Sequence, residues 1–388
     1  MLVEGIGELV TNDPSHGPAL GIVHDAAVAI DGDRVVWAGP RAGAPEGVPG
    51  PSLDLGGRAA LPGFVDAHTH LVFAGDRTEE FDARMRGQQY EAGGIRATVE
   101  ATRAATDEAL LDGARRLAAE ALRSGTTTLE VKSGYGLTVE DEARLLSIAA
   151  AIGDEVTFLG AHVVPAECAD DPDGYVDLVC GAMLDACAPL AGWCDVFCDR
   201  GAFDGPQARR VLTAARDRGM GLRVHANQLE HGPGAQLAAE LGAASADHLN
   251  YLRAEDREAL AAADVVWTLL PVADLSTRSP WPDARALLDA GVTVALATDC
   301  NPGTSFTTSM PIVVALAVTA MGMTPHEAVW AATAGGATAL RRTDVGRLTV
   351  GARADLIAID APSCVHLAYR PGVPLIHTVI RGGEVVVG

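Results

Sequence analysis

Two histidines separated by one residue, in Asp66-Ala67-His68-Thr69-His70, are the first chemically suggestive feature of the chain. In an extended segment residues i and i+2 project to the same side, so His68 and His70 can offer two imidazoles to one metal ion. Three other segments end in similar groups: Val224-His225-Ala226-Asn227-Gln228, Ala246-Asp247-His248 and Ala297-Thr298-Asp299. Any one of these is explained as a satisfied polar residue at a loop mouth. Their recurrence at the ends of four apolar runs points instead to a shared site. Neutral imidazole and carboxylate suit zinc or ferrous iron, and three histidines with one aspartate leave room for water. A metal lowers the pKa of that water towards neutrality and so supplies hydroxide, while Asp299 could accept the proton of the attacking water.

The elements that must position these groups are short. Eight apolar runs alternate with Ala/Leu/Arg-rich stretches of helical period such as Asp107 to Ser124 and Gln207 to Arg218. The runs are Ala60 to Asp66, Thr126 to Val131, Val156 to Ala161, Cys194 to Cys198, Gly221 to His225, Ala243 to His248, Val265 to Leu270 and Val292 to Thr298. Strands of this kind, covered on both faces, predict an α/β fold, a (β/α)8 TIM barrel whose active site lies at the strand C-termini. An open doubly wound sheet gives no reason for polar residues to recur at strand after strand. At the N-terminus, Ala26 to Ile30 and Arg34 to Ala38 flank Asp31-Gly32-Asp33 as a hairpin. At the C-terminus, Asp355 to Asp360 and Thr378 to Val387, folded around Gly382-Gly383, add similar material. Each end is too small to bury a face alone, so residues 1–58 and 350–388 are predicted to join as one small β-sandwich domain beside a barrel over 59–349.

Composition narrows the partners. The chain has 388 residues, 48% hydrophobic and 21% charged, which argues against a disordered or fibrous protein. Its formal charge of −22 repels phosphate backbones and anionic lipid, so neither nucleic acid nor membrane is an expected partner. Seven scattered cysteines form no disulfide framework, acidic residues stand near the start where an export signal would be basic, and no run of about 18 apolar residues occurs. These features predict a cytoplasmic protein.

The HxH on the first strand, histidines on the fifth and sixth, aspartate on the eighth and a small sheet from both termini resemble the amidohydrolase superfamily. Longer segments sharpen the likeness: Pro62-Gly63-Phe64-Val65-Asp66-Ala67-His68-Thr69-His70-Leu71-Val72-Phe73, Glu130-Val131-Lys132-Ser133-Gly134-Tyr135-Gly136, Gly160-Ala161-His162 and Asp299-Cys300-Asn301-Pro302-Gly303-Thr304-Ser305. Over essentially the whole chain they look like the branch of that superfamily that opens the imidazolone ring in histidine degradation. The resemblance implies hydrolysis of a small molecule, 4-imidazolone-5-propanoate, to N-formimidoyl-L-glutamate. It implies one zinc or iron ion held by His68, His70, His225 and Asp299, with His248 beside the metal steadying the developing oxyanion, and a homodimer.

By the same resemblance Arg77 grips the substrate propionate, a role suited to a fork-shaped cation. Tyr135 and His162 match substrate-contacting positions, and Asn301, Gly303 and Thr304 follow the aspartate on a loop that could hold the amino-acid end of the product. Some members carry Glu three residues after the fifth-strand histidine. Here that residue is Gln228, an amide that binds but cannot serve as a base near neutral pH. Gln228 is therefore assigned to substrate binding and proton transfer to Asp299, with His248 as a second candidate. Glu230 reaches the base role only if the backbone bulges. Lys132 is the single lysine of the chain and ends the second strand, not the fourth where a carboxylated lysine bridges two metals, so a mononuclear site is expected. A different cyclic amidohydrolase or an aromatic deaminase would share the metal set; the Arg77 clamp separates them.

Overall fold

The computed structural model describes residues 1–87 and 94–388. Five strands come first: β1 (Leu2–Val10), β2 (Ile22–Asp31), β3 (Arg34–Pro40), β4 (Ser52–Asp54) and β5 (Ala59–Pro62). Eight barrel strands follow: β6 (Phe64–Asp66), β7 (Thr126–Lys132), β8 (Glu155–Ala161), β9 (Trp193–Cys198), β10 (Gly221–Ala226), β11 (Ser245–His248), β12 (Val266–Leu269) and β13 (Val294–Leu296). The chain ends in β14 (Leu356–Ile359), β15 (Ile376–Arg381) and β16 (Glu384–Val387).

Strands from both termini form one mixed sheet in the order β16-β15-β14-β5-β1-β2-β3, with β4 also paired to β1. The expected meeting of the two ends thus takes place through β14, which runs antiparallel to β5. A buried apolar cluster around this sheet includes Val3, Ile6, Leu9, Val28, Ile30, Leu356 and Ile380. Val3 and Ile6 are an odd number of residues apart, which in a regular strand would put them on opposite faces. A bulge between them, with Gly5 at φ 64°, restores both to the core.

All eight barrel strands fall where the sequence pattern predicts, with one correction. Ala60 to Asp66 is not a single strand: Ala59–Pro62 belongs to the mixed sheet, and only Phe64–Asp66 belongs to the parallel sheet β13-β12-β11-β10-β9-β8-β7-β6. Gly63 marks the break, and a Cβ there would sit 2.2 Å from Thr127 Oγ1. The ring closes beyond the first and last strands, where Thr69 bridges Cys300 in parallel, His70 N–H donates to Cys300 O and Asp299 N–H donates to His68 O. The expected helix Gln207 to Arg218 runs Gly205–Arg216, because Asp204 caps it in a reciprocal box with Gln207 and Pro206 fits its first turn.

By contacts the chain forms two compact units, one of Met1–Ala67, Ala119–Thr128 and Ser309–Gly388, the other of His68–Ala118 and Leu129–Thr308. Every candidate site residue named from the sequence lies in the second unit. Among the described residues no helix is long and apolar enough to cross a membrane.

Candidate active site and metal centre

The strand ends bring the predicted ligands together. His70 Nε2 lies 3.3 Å from His68 Nε2 and 3.4 Å from His225 Nε2. Asp299 Oδ1 lies 3.5 Å from His68 Nε2 and 3.4 Å from His70 Nε2. The donor atoms of His68, His70 and His225 all lie within 4.8 Å of one another, close enough to face a single cation, and Asp299 stands beside two of them. Three ring nitrogens and a carboxylate oxygen gathered this closely among buried side chains suit a cation cradle.

The outer nitrogens support this reading. His68 Nδ1 donates to Asp247 Oδ2 at 2.7 Å, which leaves Nε2 as a lone pair, and His225 Nδ1 lies 3.0 Å from Asp195 Oδ2. Burial pushes His68 and His70 well below the ordinary imidazole range, so both are neutral. His225 is also penalised by burial, but the Asp195 carboxylate outweighs this and raises its affinity for a proton. The same negative charge favours a divalent cation at that ring. The donor set therefore fits a metal ion, and among the described residues no cysteine joins a candidate metal cluster. Burial pushes Cys198 up to about 12, so that thiol stays protonated.

Above the cluster opens a cleft lined by His70, Arg77, Tyr135, His162, His225, Gln228, His248, Asp299, Asn301 and Thr304. Nearly the whole predicted set meets there. His68 lies fully buried within the ligand cluster, and Gly303 packs its main chain on Arg77. His162 stacks on His70 at 5.4 Å with rings 19° apart, and its Nδ1 donates to Gly134 O at 2.9 Å, which frees Nε2 to accept. Burial pushes His248 down to about 3, so it is a neutral ring. His248 (φ 76°) and Asp299 (φ 52°) both occupy the left-handed backbone region, strain of the kind found where loops are held for function. Asp299 divides its oxygens, Oδ1 facing the ring nitrogens and Oδ2 accepting from Thr304 Oγ1 at 3.5 Å. Asn301 Oδ1 accepts the amides of Gly303 and Thr304, which folds the loop around it.

Two loops owe their shape to buried carboxylates. Asp199 accepts the amides of Gln228 and Leu229, fixing Gln228 at the cleft. Glu142 accepts those of Gly134, Gly136 and Leu137, and so holds the turn that carries Tyr135. Glu142→Gln keeps the size but turns one acceptor into a donor facing amide donors. It is expected to cost about 1–3 kcal/mol and to speed amide exchange in the 134–137 turn, measured by hydrogen exchange; unchanged exchange would contradict the anchoring role. Glu230 is excluded as a base by position, since it is exposed and pairs with Arg200 at 3.8 Å.

The sequence reading missed Glu130, Asp195 and Asp247 as parts of the site. Lys132, at the end of the second barrel strand, is fully buried, with Nζ 2.8 Å from Glu130 Oε1 and 3.0 Å from Asp195 Oδ2. The available signal was Glu130 and Lys132 two residues apart in a strand buried throughout, hence on one face.

The model of the amidohydrolase family matches residues 59–386. The imidazolonepropionase of Streptomyces griseus subsp. griseus is 65% identical over 387 residues, 99% of each chain. That of Mycolicibacterium smegmatis is 63% identical over 388 residues, covering 100% of this chain and 97% of its own. Among solved structures, an atrazine chlorohydrolase from Arthrobacter aurescens complexed with zinc aligns with a TM-score of 0.74 at 19% identity, covering 100% of this chain and 95% of that one. An adenosine deaminase from Xanthomonas campestris with bound zinc aligns at 0.72 and 22% identity, covering 100% and 92%. These two share the fold.

Proposed function

This chain belongs to the amidohydrolase family and, within it, to the imidazolonepropionases, hydrolases of histidine degradation, and we propose how its own residues carry out that reaction. The substrate is a small molecule, 4-imidazolone-5-propanoate, and the product N-formimidoyl-L-glutamate. One observation carries the reading: the convergence of three ring nitrogens and Asp299 at the floor of a cleft whose wall holds Arg77.

His68, His70, His225 and Asp299 would hold one divalent ion, zinc or iron. When bound, it supplies a Lewis acid for the ring carbonyl and makes water a competent nucleophile near neutral pH. Asp247 and Asp195 orient two of the imidazoles. Asp299 takes the proton that water loses as its oxygen bonds to the ring carbonyl carbon, and returns it to the ring nitrogen as the C–N bond breaks. His248, as a neutral ring, donates to the carbonyl oxygen while charge develops there. Gln228, Tyr135 and His162 bind the ring and its substituent, and Asn301, Gly303 and Thr304 receive the amino-acid end.

Arg77 binds the propionate. Arg77→Ala is expected to raise KM by about 100-fold, the loss of a charge-assisted fork, with a smaller change in kcat. Initial rates over a substrate series test this, and an unchanged KM would remove Arg77 from the site. The catalytic division we assign is 59–349, with 1–58 and 350–388 as the accessory β domain, whose sheet also takes in the strand Ala59–Pro62. We assign the protein to the cytoplasm with neither nucleic acid nor membrane as partner, a reading supported by its acidic charge and its relatives' metabolic role, and assign it as a homodimer by its likeness to the family alone.

A further inference from the structure

A guanidinium can grip a carboxylate by its Nε–Nη2 side or by its Nη1–Nη2 end. In Arg77 the side is already taken. Nε donates to Glu80 Oε2 at 2.8 Å, and Nη2 lies 2.6 Å from both Glu80 oxygens. Arg77 lines the cleft and Glu80 does not. The rest of the guanidinium is framed by main chain. A Cβ on Gly94 would lie 2.2 Å from Nη2 and 2.2 Å from Glu80 Oε2, and a Cβ on Gly303 would lie 2.3 Å from Nη1 and 2.7 Å from Cζ. Only glycine permits both approaches.

The helix that carries Glu80 adds a second argument. The helix Thr78–Met85 places Arg84 one turn beyond Glu80, with Arg84 Nη1 3.9 Å from Glu80 Oε1 and Nη2 donating to Gly303 O at 2.9 Å. Arg77 and Arg84 are 8% and 4% exposed. Arg84 thus faces the same carboxylate from the helix and holds the main chain of Gly303, one of the two walls around Arg77.

We propose that Glu80, with Gly94 and Gly303 as walls, is the positioning device that presents the end of Arg77 to the cleft, where the substrate carboxylate binds. This rests on the reading of Arg77 as the carboxylate clamp. Glu80 touches neither substrate nor metal, so its effect is transmitted through Arg77.

The test compares KM and kcat for 4-imidazolone-5-propanoate in the metal-loaded wild type, Glu80→Gln, Arg77→Ala and the double variant, with Gly94→Ala as an independent disturbance of the frame. Glu80→Gln is expected to raise KM about tenfold with kcat changed far less, the size of one lost charge-assisted bond. Gly94→Ala is expected to act in the same direction. Adding Glu80→Gln to Arg77→Ala is expected to raise KM no further. A KM that is unchanged or lower in Glu80→Gln, while Arg77→Ala raises it, overturns the positioning role alone. An equal KM rise in both backgrounds also overturns it, because Glu80 would then act independently of Arg77. An unchanged KM in Arg77→Ala overturns the clamp reading and this inference with it.

Discussion

Asp299→Asn is expected to lower kcat by about three orders of magnitude while leaving the metal-free protein as stable as the wild type. Asn keeps the size of the side chain and adopts the left-handed backbone that this position requires at φ 52°. The backbone bond from Asp299 N to His68 O that closes the barrel is unaffected, as is the one from Asn301 Nδ2 to Asp299 O. What disappears is the negative charge 3.4 Å from His70 Nε2 and the acceptor for the proton released by water. Three readouts separate the parts of this expectation. Thermal unfolding of the metal-free variant reports the fold, elemental analysis reports metal retention, and kcat reports chemistry. Retention of more than about a tenth of kcat would remove Asp299 from proton transfer.

Lys132→Met is expected to destabilise the metal-free protein by about 3–5 kcal/mol, the usual cost of orphaning a buried charge. Burial opposes the charge of Lys132, yet Glu130 and Asp195 outweigh it and raise its pKa, so the amine is held cationic by what surrounds it. Burial likewise opposes Asp195, but His225 and Lys132 prevail and hold its carboxyl below the usual range. A carboxylate depressed in the folded state contributes stability above its unfolded pKa, and that contribution is lost as pH falls through the folded value. Removing Lys132 takes away part of this contribution at neutral pH and loosens the carboxylate behind His225. Urea unfolding of Lys132→Met and of Lys132→Met with Glu130→Gln tests the account. The double variant is expected to recover part of the loss, since one of the two stranded carboxylates becomes neutral. A loss below about 1 kcal/mol in the single variant would mean that the interior tolerates the unpaired acids.

The proposed metal-holding and proton-transfer groups were legible from the chain because they stand where short strands end, and period-2 geometry converts His68 and His70 into a pair without further information. Barrel strand positions were legible for a related reason, since apolar runs between helical stretches leave few other readings. The break at Gly63 was not, because Ala59–Pro62 and Phe64–Asp66 are equally apolar and only their partners distinguish them. Glu130, Asp195 and Asp247 escaped notice as parts of the site for a different reason. Their meaning lies in charge balance across strands that are distant in sequence, with Lys132 between two of them. Glu80 reads as an ordinary solvated helix residue until the main chain of Gly94 and Gly303 is seen closing on Arg77. Clusters made by tertiary approach leave no local pattern.

The most direct test is hydrolysis of freshly prepared 4-imidazolone-5-propanoate by protein stripped of metal and by the same protein reloaded with zinc or iron, against the rate in buffer alone. The expected result is no acceleration when stripped, restored turnover when reloaded, and N-formimidoyl-L-glutamate as the product. Full activity in the stripped protein would contradict a metal centre at His68, His70, His225 and Asp299. No acceleration by folded, fully metallated protein would contradict the assigned reaction itself.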